Sequence, residues 1–500
     1  MERRIQKVLV ANRGEIAVRI LRTCRDMGIR TVAVFADPDR SALHVELADE
    51  AYALDGVTAA ESYLDQEKIL AIAGKASVDA IHPGYGYLSE NHAFAAAVEK
   101  AGIRFIGPPS KAIALLGEKT AARKLARSLG IPMVQGSADA FIKAEDALAC
   151  AEGLRFPLLL KAAAGGGGKG MRIVHDRKEF VSAFKMASSE AQKAFGDPRV
   201  YVERYLANPH HVEIQILADT SGRVVYFPER DCSLQRRHQK LVEESPSPIV
   251  DSDLRKRMGE VAASLAGAAG YFNAGTVEFL VDDERKFYFL EVNTRLQVEH
   301  PVTEAVTGFD LLKEQILVAE GHPLSFRQED VPLRGHALEC RIYAEDPAND
   351  FFPSTGKLNL FQPPSGPGVR VDTGAREGDM VDVHFDPLLA KVITHGSDRR
   401  EALQRMSRAL QEFTVAGVHT TIPFCKYILE SSIFVEARHT TQLINKGVLQ
   451  DFLNQSLDTV ILDAAAIGSA LLESEQRVEG TLVGRETRAA WRSRRKEQYR

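Results

Sequence analysis

From Phe289 to Glu299 the chain reads Phe-Leu-Glu-Val-Asn-Thr-Arg-Leu-Gln-Val-Glu. Taken as an extended strand, its side chains alternate between two faces. Glu291, Asn293, Arg295, Gln297 and Glu299 fall on one face, and Leu290, Val292, Leu296 and Val298 on the other. The polar face combines carboxylates, amides and a guanidinium, the groups needed to hold a metal, seat an oxyanion and move a proton. A second carboxylate strand lies just upstream, in Gly275-Thr-Val-Glu-Phe-Leu280, and a charged turn over 282–286 joins it to Phe287-Tyr-Phe-Leu-Glu291. Two apolar runs around a short polar turn predict a hairpin. With a loop over 283–286, Asp282 pairs with Phe287 and Glu278 stands opposite Glu291. Directly opposed side chains have Cβ atoms about 5 Å apart, and like charges there destabilise the sheet. A divalent cation between the two removes the conflict. Mg²⁺ suits the place, because it takes oxygen ligands and is often held by one or two carboxylates plus substrate phosphates.

Two further clusters carry chemistry. The apolar run Phe156–Lys161 reads as a buried strand, and Ala162-Ala-Ala-Gly-Gly-Gly-Gly-Lys-Gly-Met171 follows it. Gly165, Gly166, Gly167 and Gly168 let backbone N–H groups approach a polyphosphate, with Lys161 and Lys169 adding positive charge. The loop is not a P-loop, since Gly170 stands where Ser or Thr would be needed. A flexible surface loop is the plainer alternative; lysines on both sides at a strand end favour a nucleotide. The second cluster is the polar run 229–244, Glu-Arg-Asp-Cys-Ser-Leu-Gln-Arg-Arg-His-Gln-Lys-Leu-Val-Glu-Glu. It follows the strand-like Val224–Phe227, so it reads either as a solvated loop or as a strand exit where anion-binding groups converge.

The elements that must position these residues follow from periodicity. Lys7–Ala11 is a strand leading into a helix with apolar Ile16, Ile20 and Leu21, and Thr31–Phe35 is the next strand. Strand and helix alternate up to Phe105–Pro109, which implies a parallel sheet with helices on both faces. The first turn holds only Gly14 and lacks the G-x-G-x-x-G fingerprint, which argues against a dinucleotide enzyme. The middle of the chain holds the glycine loop, a helix over Glu179–Phe195, the polar run and the hairpin. A third segment begins near Gly335 and mixes strands such as Ala337–Tyr343 with a basic helix around Arg400–Leu410.

Composition narrows the class. The 500 residues suffice for about three domains. Hydrophobic content of 45% and charged content of 26% are those of an ordinary globular protein, and a net charge of −5 gives no footing for nucleic acid as main partner. Five cysteines without a C-x-x-C pair point to reduced thiols. No signal segment and no apolar run near 18 residues is present, so the expectation is a cytoplasmic protein that does not enter a membrane.

With these residues in view, the sequence resembles the biotin carboxylase subunit of the biotin-dependent (acetyl-CoA and acyl-CoA) carboxylases, a branch of the ATP-grasp superfamily. The resemblance runs over roughly residues 5–450 in six motifs: 11–16, 82–91, 161–171, 229–244, 291–304 and 335–347. It implies a mixed α/β and α+β chain: an N-terminal Rossmann-like domain (1–114), an ATP-grasp domain (115–334) with a mobile lid at about 133–206, a C-terminal biotin carboxylase domain (335–450) and an extension (451–500). The implied reaction uses MgATP (or Mn²⁺ in place of Mg²⁺) and bicarbonate to make carboxyphosphate, then carboxylates N1 of biotin, the first half-reaction of an acyl-CoA carboxylase.

The resemblance also assigns roles. Lys119, Lys161 and the glycines would contact ATP phosphates. Glu203, Leu206, His211, Gln235 and His238 would contact the rest of the nucleotide. Glu278 and Glu291, with Asn293 as a lesser donor, would hold the metal. Arg295, Gln297, Val298 and Lys240 would form the bicarbonate pocket, Glu299 would be the general base, and Arg341 would stabilise the biotin enolate beside Tyr85 and Gly86. Arg22, Asp26 and Arg370 fit the charged pattern of a homodimer interface, while Pro367 departs from it by replacing a phenylalanine of some relatives. The sequence has no Met-Lys-Met segment, so biotin is expected on a separate biotin carboxyl carrier protein, with a carboxyltransferase as the second partner. Tyr343–Pro347 and His384–Pro387 lean toward an acyl-CoA acceptor over pyruvate. Two other readings stay open at this point: a different ATP-grasp ligase, and a non-catalytic carboxylase subunit. The stretch 485–500 is rich in Arg and reads as a solvated basic helix or a docking element for an acidic partner.

Overall fold

Strand β1 (Lys7–Val10) is a short apolar run that pairs in parallel with β2 (Arg30–Phe35) and β4 (Ala80–His82). Adding β3 (Glu50–Ala53) and β5 (Arg104–Phe105) gives a five-stranded parallel sheet in the order β3-β2-β1-β4-β5. The helix Gly14–Asp26 buries Ile16, Ile20, Leu21 and Cys24, one face of a 3.6-residue repeat, against this sheet. Strand order reverses between β1 and β4, and the C-terminal ends of strands flanking such a switch point form a natural ligand crevice. There the amide nitrogen of Asn12 donates to the carbonyls of Pro83 (2.7 Å) and Tyr85 (2.8 Å), fixing the turn that carries Tyr85 and Gly86. Gly84 sits at φ +65° in that turn, and a Cβ there would come within 2.9 Å of Asn12 Nδ2.

The computed structural model describes residues 4–137, 139–163, 171–237, 239–444 and 447–455. Residues 1–444 form one compact unit and 445–500 a second, whose described part is a helical stretch at 447–455. Gly165, Gly166, Gly167, Gly168, His238 and the basic stretch 485–500 lie outside the described residues. No helix among those described is long and apolar enough to cross a membrane.

A three-stranded antiparallel sheet follows: β6 (Leu158–Ala162) lies between β7 (Met171–Val174) and β8 (Val200–Arg204). With the helices Ala144–Ala151 and Arg177–Phe195 it closes its own small core around Leu158, Phe180, Phe184 and Val202. That core lies within the expected lid span.

The largest sheet is antiparallel throughout. Its strands are β9 (His210–Ala218), β10 (Val224–Tyr226), β11 (Arg230–Arg236), β12 (Gln239–Ser245), β13 (Asn273–Val281), β14 (Phe287–Asn293) and β15 (His336–Tyr343), continued by Leu388–Gly396 and Val369–Thr373. The order is β14-β13-β9-β11-β12-β15 and then the last two, with β10 branching from β9. Every residue of β9 is buried, as expected for a central strand.

Three sequence expectations change here. The polar run 229–244 is neither a loop nor a strand exit but the hairpin β11–β12, with Asp231 to Ser233 and Leu241 to Glu244 buried. The strand beginning at Phe287 ends at Asn293 and does not continue to Glu299. Residues after it turn, and Glu299 stands just before the helix His300–Thr307, whose first turn contains Pro301. Pro lacks an N–H and suits a helix start but not a ladder. Finally, Glu278 does stand opposite Glu291, but Val281, not Asp282, pairs with Phe287, and a bulge follows at Leu290. Phe287 and Phe289 face the core, as does Val292. The extra residue shifts the alternation between Phe289 and Val292, so that Glu291 leaves the core face.

Candidate active site

Neighbouring strands of the large sheet deliver the charged groups to one cleft of about 720 Å³. Strand β9 supplies His211, β12 Lys240, β13 Glu278, β14 Glu291 and Asn293, and β15 Arg341. The turn after β14 adds Arg295, Gln297 and Val298. Lys161, Glu203 and Leu206, from β6, β8 and the residues just after β8, line the opposite side, with Lys119 and Gln235 also on the wall. The sequence-predicted set, apart from the residues outside the described ones and the Tyr85–Gly86 turn, therefore converges: Glu299 joins it through its ion pairs.

Lys240 is the hub. Its Nζ lies 2.6 Å from Glu213, 3.1 Å from Glu278 and 2.5 Å from Glu299. Glu213 is also held by the fully buried Arg230 at 2.5 Å. Burial opposes every charge in this group, and the partners decide the outcome. Lys240 stays protonated because the surrounding carboxylates outweigh its desolvation. Burial would raise Glu278, but Lys240 and then His211, whose Nε2 is 3.0 Å away, hold it far below the usual carboxylate range. Burial likewise opposes ionisation of Glu299, and Lys240, Arg341 and Arg230 overcome it, so Glu299 stands ready in its base form. The Arg341 guanidinium donates to Glu299 Oε2 at 2.9 Å. Cys232 lies 3.7 Å from Glu299, and burial pushes its thiol well above the usual range, leaving it neutral.

The hairpin carboxylates differ in surroundings. Glu278 is buried, whereas the Glu291 side chain is 34% exposed and meets Lys119 at 3.0 Å. Lysines and a histidine occupy the positions around this acidic pair that a cation would compete for. Two opposed carboxylates with the Asn293 amide oxygen alongside fit a hard divalent ion.

Beside them lies a cluster of cationic and amide donor groups. Arg295 is oriented on three edges: Nε donates to Glu90 (2.9 Å), Nη1 to Gln297 Oε1 (3.1 Å) and Nη2 to Asn293 Oδ1 (3.2 Å). The amide nitrogen of Gln297 is buried with no partner among the described residues. Such a donor costs stability unless a ligand accepts from it. The Val298 carbonyl accepts from the fully buried Lys391 at 2.8 Å. Lys391 also meets Glu15 at 3.1 Å and lies 5.8 Å from the Tyr85 ring centre, and the Tyr85 hydroxyl donates to Glu15. Burial raises the Glu15 carboxyl to about 7 despite Lys391. One lysine thus ties the Tyr85 turn to Val298.

On the opposite wall Glu203 is clamped by Arg123 (2.6 Å) and Lys161 (2.7 Å), which hold it ionised against burial. Gln235 Nε2 approaches His211 Nδ1 at 3.5 Å. Arg370 pairs with Glu304 at 2.7 Å and Asp372 at 2.6 Å within the chain.

Sequence reasoning missed Glu90, Glu213, Arg230, Arg123 and Lys391. Lys391 had a signal: a lone lysine inside the apolar strand Leu-Leu-Ala-Lys-Val-Ile. Glu213 had one too, alternating with His211 on β9. Glu90 is separated from Arg295 by 205 positions, and nothing local announces their contact.

Residues 4–113 match the family model for the biotin carboxylase N-terminal domain, 118–327 the ATP-binding domain of the carbamoyl-phosphate synthase L chain, and 339–446 the biotin carboxylase C-terminal domain. The chain is 49% identical over 441 residues to biotin carboxylase 1 of Bacillus subtilis, covering 88% of this chain and 98% of that one. It is 48% identical over 440 residues to a pyruvate carboxylase subunit of Methanothermobacter thermautotrophicus, covering 88% and 89%. Its fold matches the biotin carboxylase domain dimer of Hydrogenobacter thermophilus 2-oxoglutarate carboxylase, solved with MgADP, ADP and bicarbonate, at a TM-score of 0.86 and 42% identity, covering 89% and 99%. Over nearly its whole matched length, then, the chain belongs to the biotin carboxylase family of ATP-grasp ligases.

Proposed function

We propose that the residues converging on Glu299 carry out ATP-dependent carboxylation of biotin by bicarbonate, and that the chain serves an acyl-CoA carboxylase, acetyl-CoA being the first candidate acceptor. The observation that carries the assignment is Glu299 itself, one oxygen on Lys240 and the other on Arg341, two residues from an anion seat. Bicarbonate sits between Arg295 and the unpartnered Gln297 amide, a planar fork suited to a planar anion. Mg²⁺ held by Glu278 and Glu291, with Asn293 adding an oxygen, would neutralise charge on the triphosphate. Lys119 and Lys161 exchange their carboxylate partners for phosphate oxygens. Glu299 takes the bicarbonate proton as its oxygen attacks the γ-phosphorus, releasing ADP and forming carboxyphosphate. Carboxyphosphate divides into CO₂ and phosphate, phosphate takes the N1 proton of biotin, and the resulting enolate adds to CO₂ beside Arg341. A fixed cation at such a developing oxyanion contributes about 3–4 kcal/mol.

Biotin arrives on a carrier protein. Its ring rests at the Tyr85–Gly86 turn of the switch-point crevice. A homodimer is supported by the dimeric 2-oxoglutarate relative. The close relation to a pyruvate carboxylase favours one second reading, in which the acceptor is pyruvate or another 2-oxo acid. Bicarbonate-dependent ADP release, assayed with and without free biotin, tests the half-reaction. Release that ignores bicarbonate would sink the assignment. Reconstitution with carrier and transferase partners, offering acetyl-CoA, propionyl-CoA or pyruvate, separates the acceptors.

A further inference from the structure

Glu243 and Glu339 take no part in the chemistry above. They are paired directly across β12 and β15, and both are fully buried. Like charges directly opposite destabilise a sheet, and two carboxylates in a dry interior do not both ionise. Arg341, on the same strand as Glu339, donates from Nε to Oε1 of Glu243 at 2.6 Å, and its Nη2 lies 2.5 Å from the same oxygen in an ion pair. Its Nη2 is shared with Glu299, and its Nη1 reaches the Tyr343 hydroxyl at 3.4 Å. The other oxygen of Glu243 and both oxygens of Glu339 are buried without a hydrogen-bond partner among the described residues. A carboxylate left so is costly, whereas a carboxylic acid sharing its proton with a neighbouring carboxylate is not.

We propose that Glu243 is the positioning residue for Arg341, and that Glu339 supports it by sharing one proton, so that the pair carries a single negative charge on the Glu243 oxygen that holds the guanidinium. The inference rests on the role of Arg341 in carboxyl transfer given above. Its logic is that Glu299, the other anchor of Arg341, loses its charge when it takes the bicarbonate proton. Glu243 then keeps Arg341 aimed while negative charge develops on biotin. The charged groups facing Glu243 are Arg341 and Glu339 from β15, Lys240 from its own strand and Glu299 from the turn before the helix His300–Thr307; Lys391 faces Glu339 from the strand Leu388–Gly396. Burial, reinforced by Glu299, raises Glu243 to about 7 against the pull of Arg341 and Lys240. Burial places Glu339 well above the usual carboxylate range.

The test measures ADP release and carboxybiotin formation together, in Glu243→Gln and Arg341→Ala, with thermal melting as a check on folding. In Glu243→Gln, carboxybiotin per ADP should fall about 10-fold to 100-fold, the scale of misplacing one group, while bicarbonate-dependent ADP release falls far less. In the native enzyme the same ratio should fall as pH drops below about 7, and Glu243→Gln should lose that dependence. If Arg341→Ala uncouples the two activities and Glu243→Gln lowers both alike, the positioning role is wrong and the role of Arg341 stands. If Arg341→Ala fails to uncouple them, the role of Arg341 fails first. An infrared difference spectrum at about pH 8, where an ordinary glutamate is ionised, supplies an independent readout. Wild type should show a protonated-carboxyl carbonyl band that Glu339→Gln removes; identical spectra overturn the shared proton.

Discussion

Changing either hairpin carboxylate to its amide keeps shape and removes the charge that a divalent ion needs. Glu278→Gln and Glu291→Gln should each lower ATP turnover by more than about 100-fold, the several kcal/mol a catalytic metal supplies. Their stabilities should diverge. Glu291 and Lys119 are both partly exposed, so Glu291→Gln should cost less than about 1 kcal/mol. Glu278 is buried against Lys240 and His211, and removing one partner of such a group costs about 3–5 kcal/mol. Chemical denaturation of the two variants checks the difference. At Glu299 the expected signature is loss of both activities: Glu299→Gln should depress ADP release and carboxybiotin formation together, because bicarbonate activation precedes both. Arg341→Ala should leave residual ADP release uncoupled from carboxybiotin. A Glu299→Gln enzyme that still cleaves ATP at a normal rate in bicarbonate would remove its role as base.

At the level of elements, Phe184 lies in the core that residues 141–202 close among themselves. Phe184→Ala should destabilise that body by about 3–5 kcal/mol. Hydrogen exchange should rise there and ATP should bind more weakly, while the five-stranded sheet keeps its protection. Protection lost everywhere at once would mean that this body does not open alone. The same scale shows what the sequence could and could not disclose. The apolar runs of β1, β2, β13 and β15 announced themselves, and opposing Glu278 to Glu291 followed from the hairpin. The bulge at Leu290 did not. Phe287, Phe289 and Val292 all belong to the core, and that change of parity was readable only by taking core and polar positions together. Continuing the strand to Glu299 failed because alternation persisted past Asn293 while Pro301 was already starting a helix. Arg295, Gln297 and Val298 line the cleft from a turn rather than from a strand, so the placement of these residues together withstood an error in their secondary structure. In the β11–β12 hairpin the many polar groups concealed two strands, since buried ion pairs satisfy them in place of water.

For the molecule as a whole, acid should act through its buried neutral histidines, His44, His82 and His300. His44 and His82 are fully buried, and burial lowers them to about 4 and about 3. Both are neutral in the fold at pH 7. Their depressed values mean that the unfolded chain takes protons first as pH falls below about 6.5, so stability drops from there until the folded values are reached. Each histidine contributes a slope of about 1.4 kcal/mol per pH unit in that window. Urea unfolding at stepwise lower pH should show it, and His44→Gln should remove one histidine's share of the slope while His82 keeps its own. A stability that is level between about pH 6.5 and 4 would contradict the buried neutral state.

The pairing of β12 with β15 has a consequence for cutting and recombining this protein. Lys240 and Glu243 come from one side of that seam and Arg341 from the other, yet the ladder crosses it without interruption. A chain severed between Phe326 and His336 would leave each fragment with a raw strand margin lined by unpaired amides and, on the second, an uncompensated arginine. Neither piece should be soluble alone, whereas the two expressed together should find each other through that margin. Swapping the C-terminal third for that of a relative is therefore a graft into the middle of a sheet. It should succeed only where the incoming strand brings its own counterparts of Glu339 and Arg341.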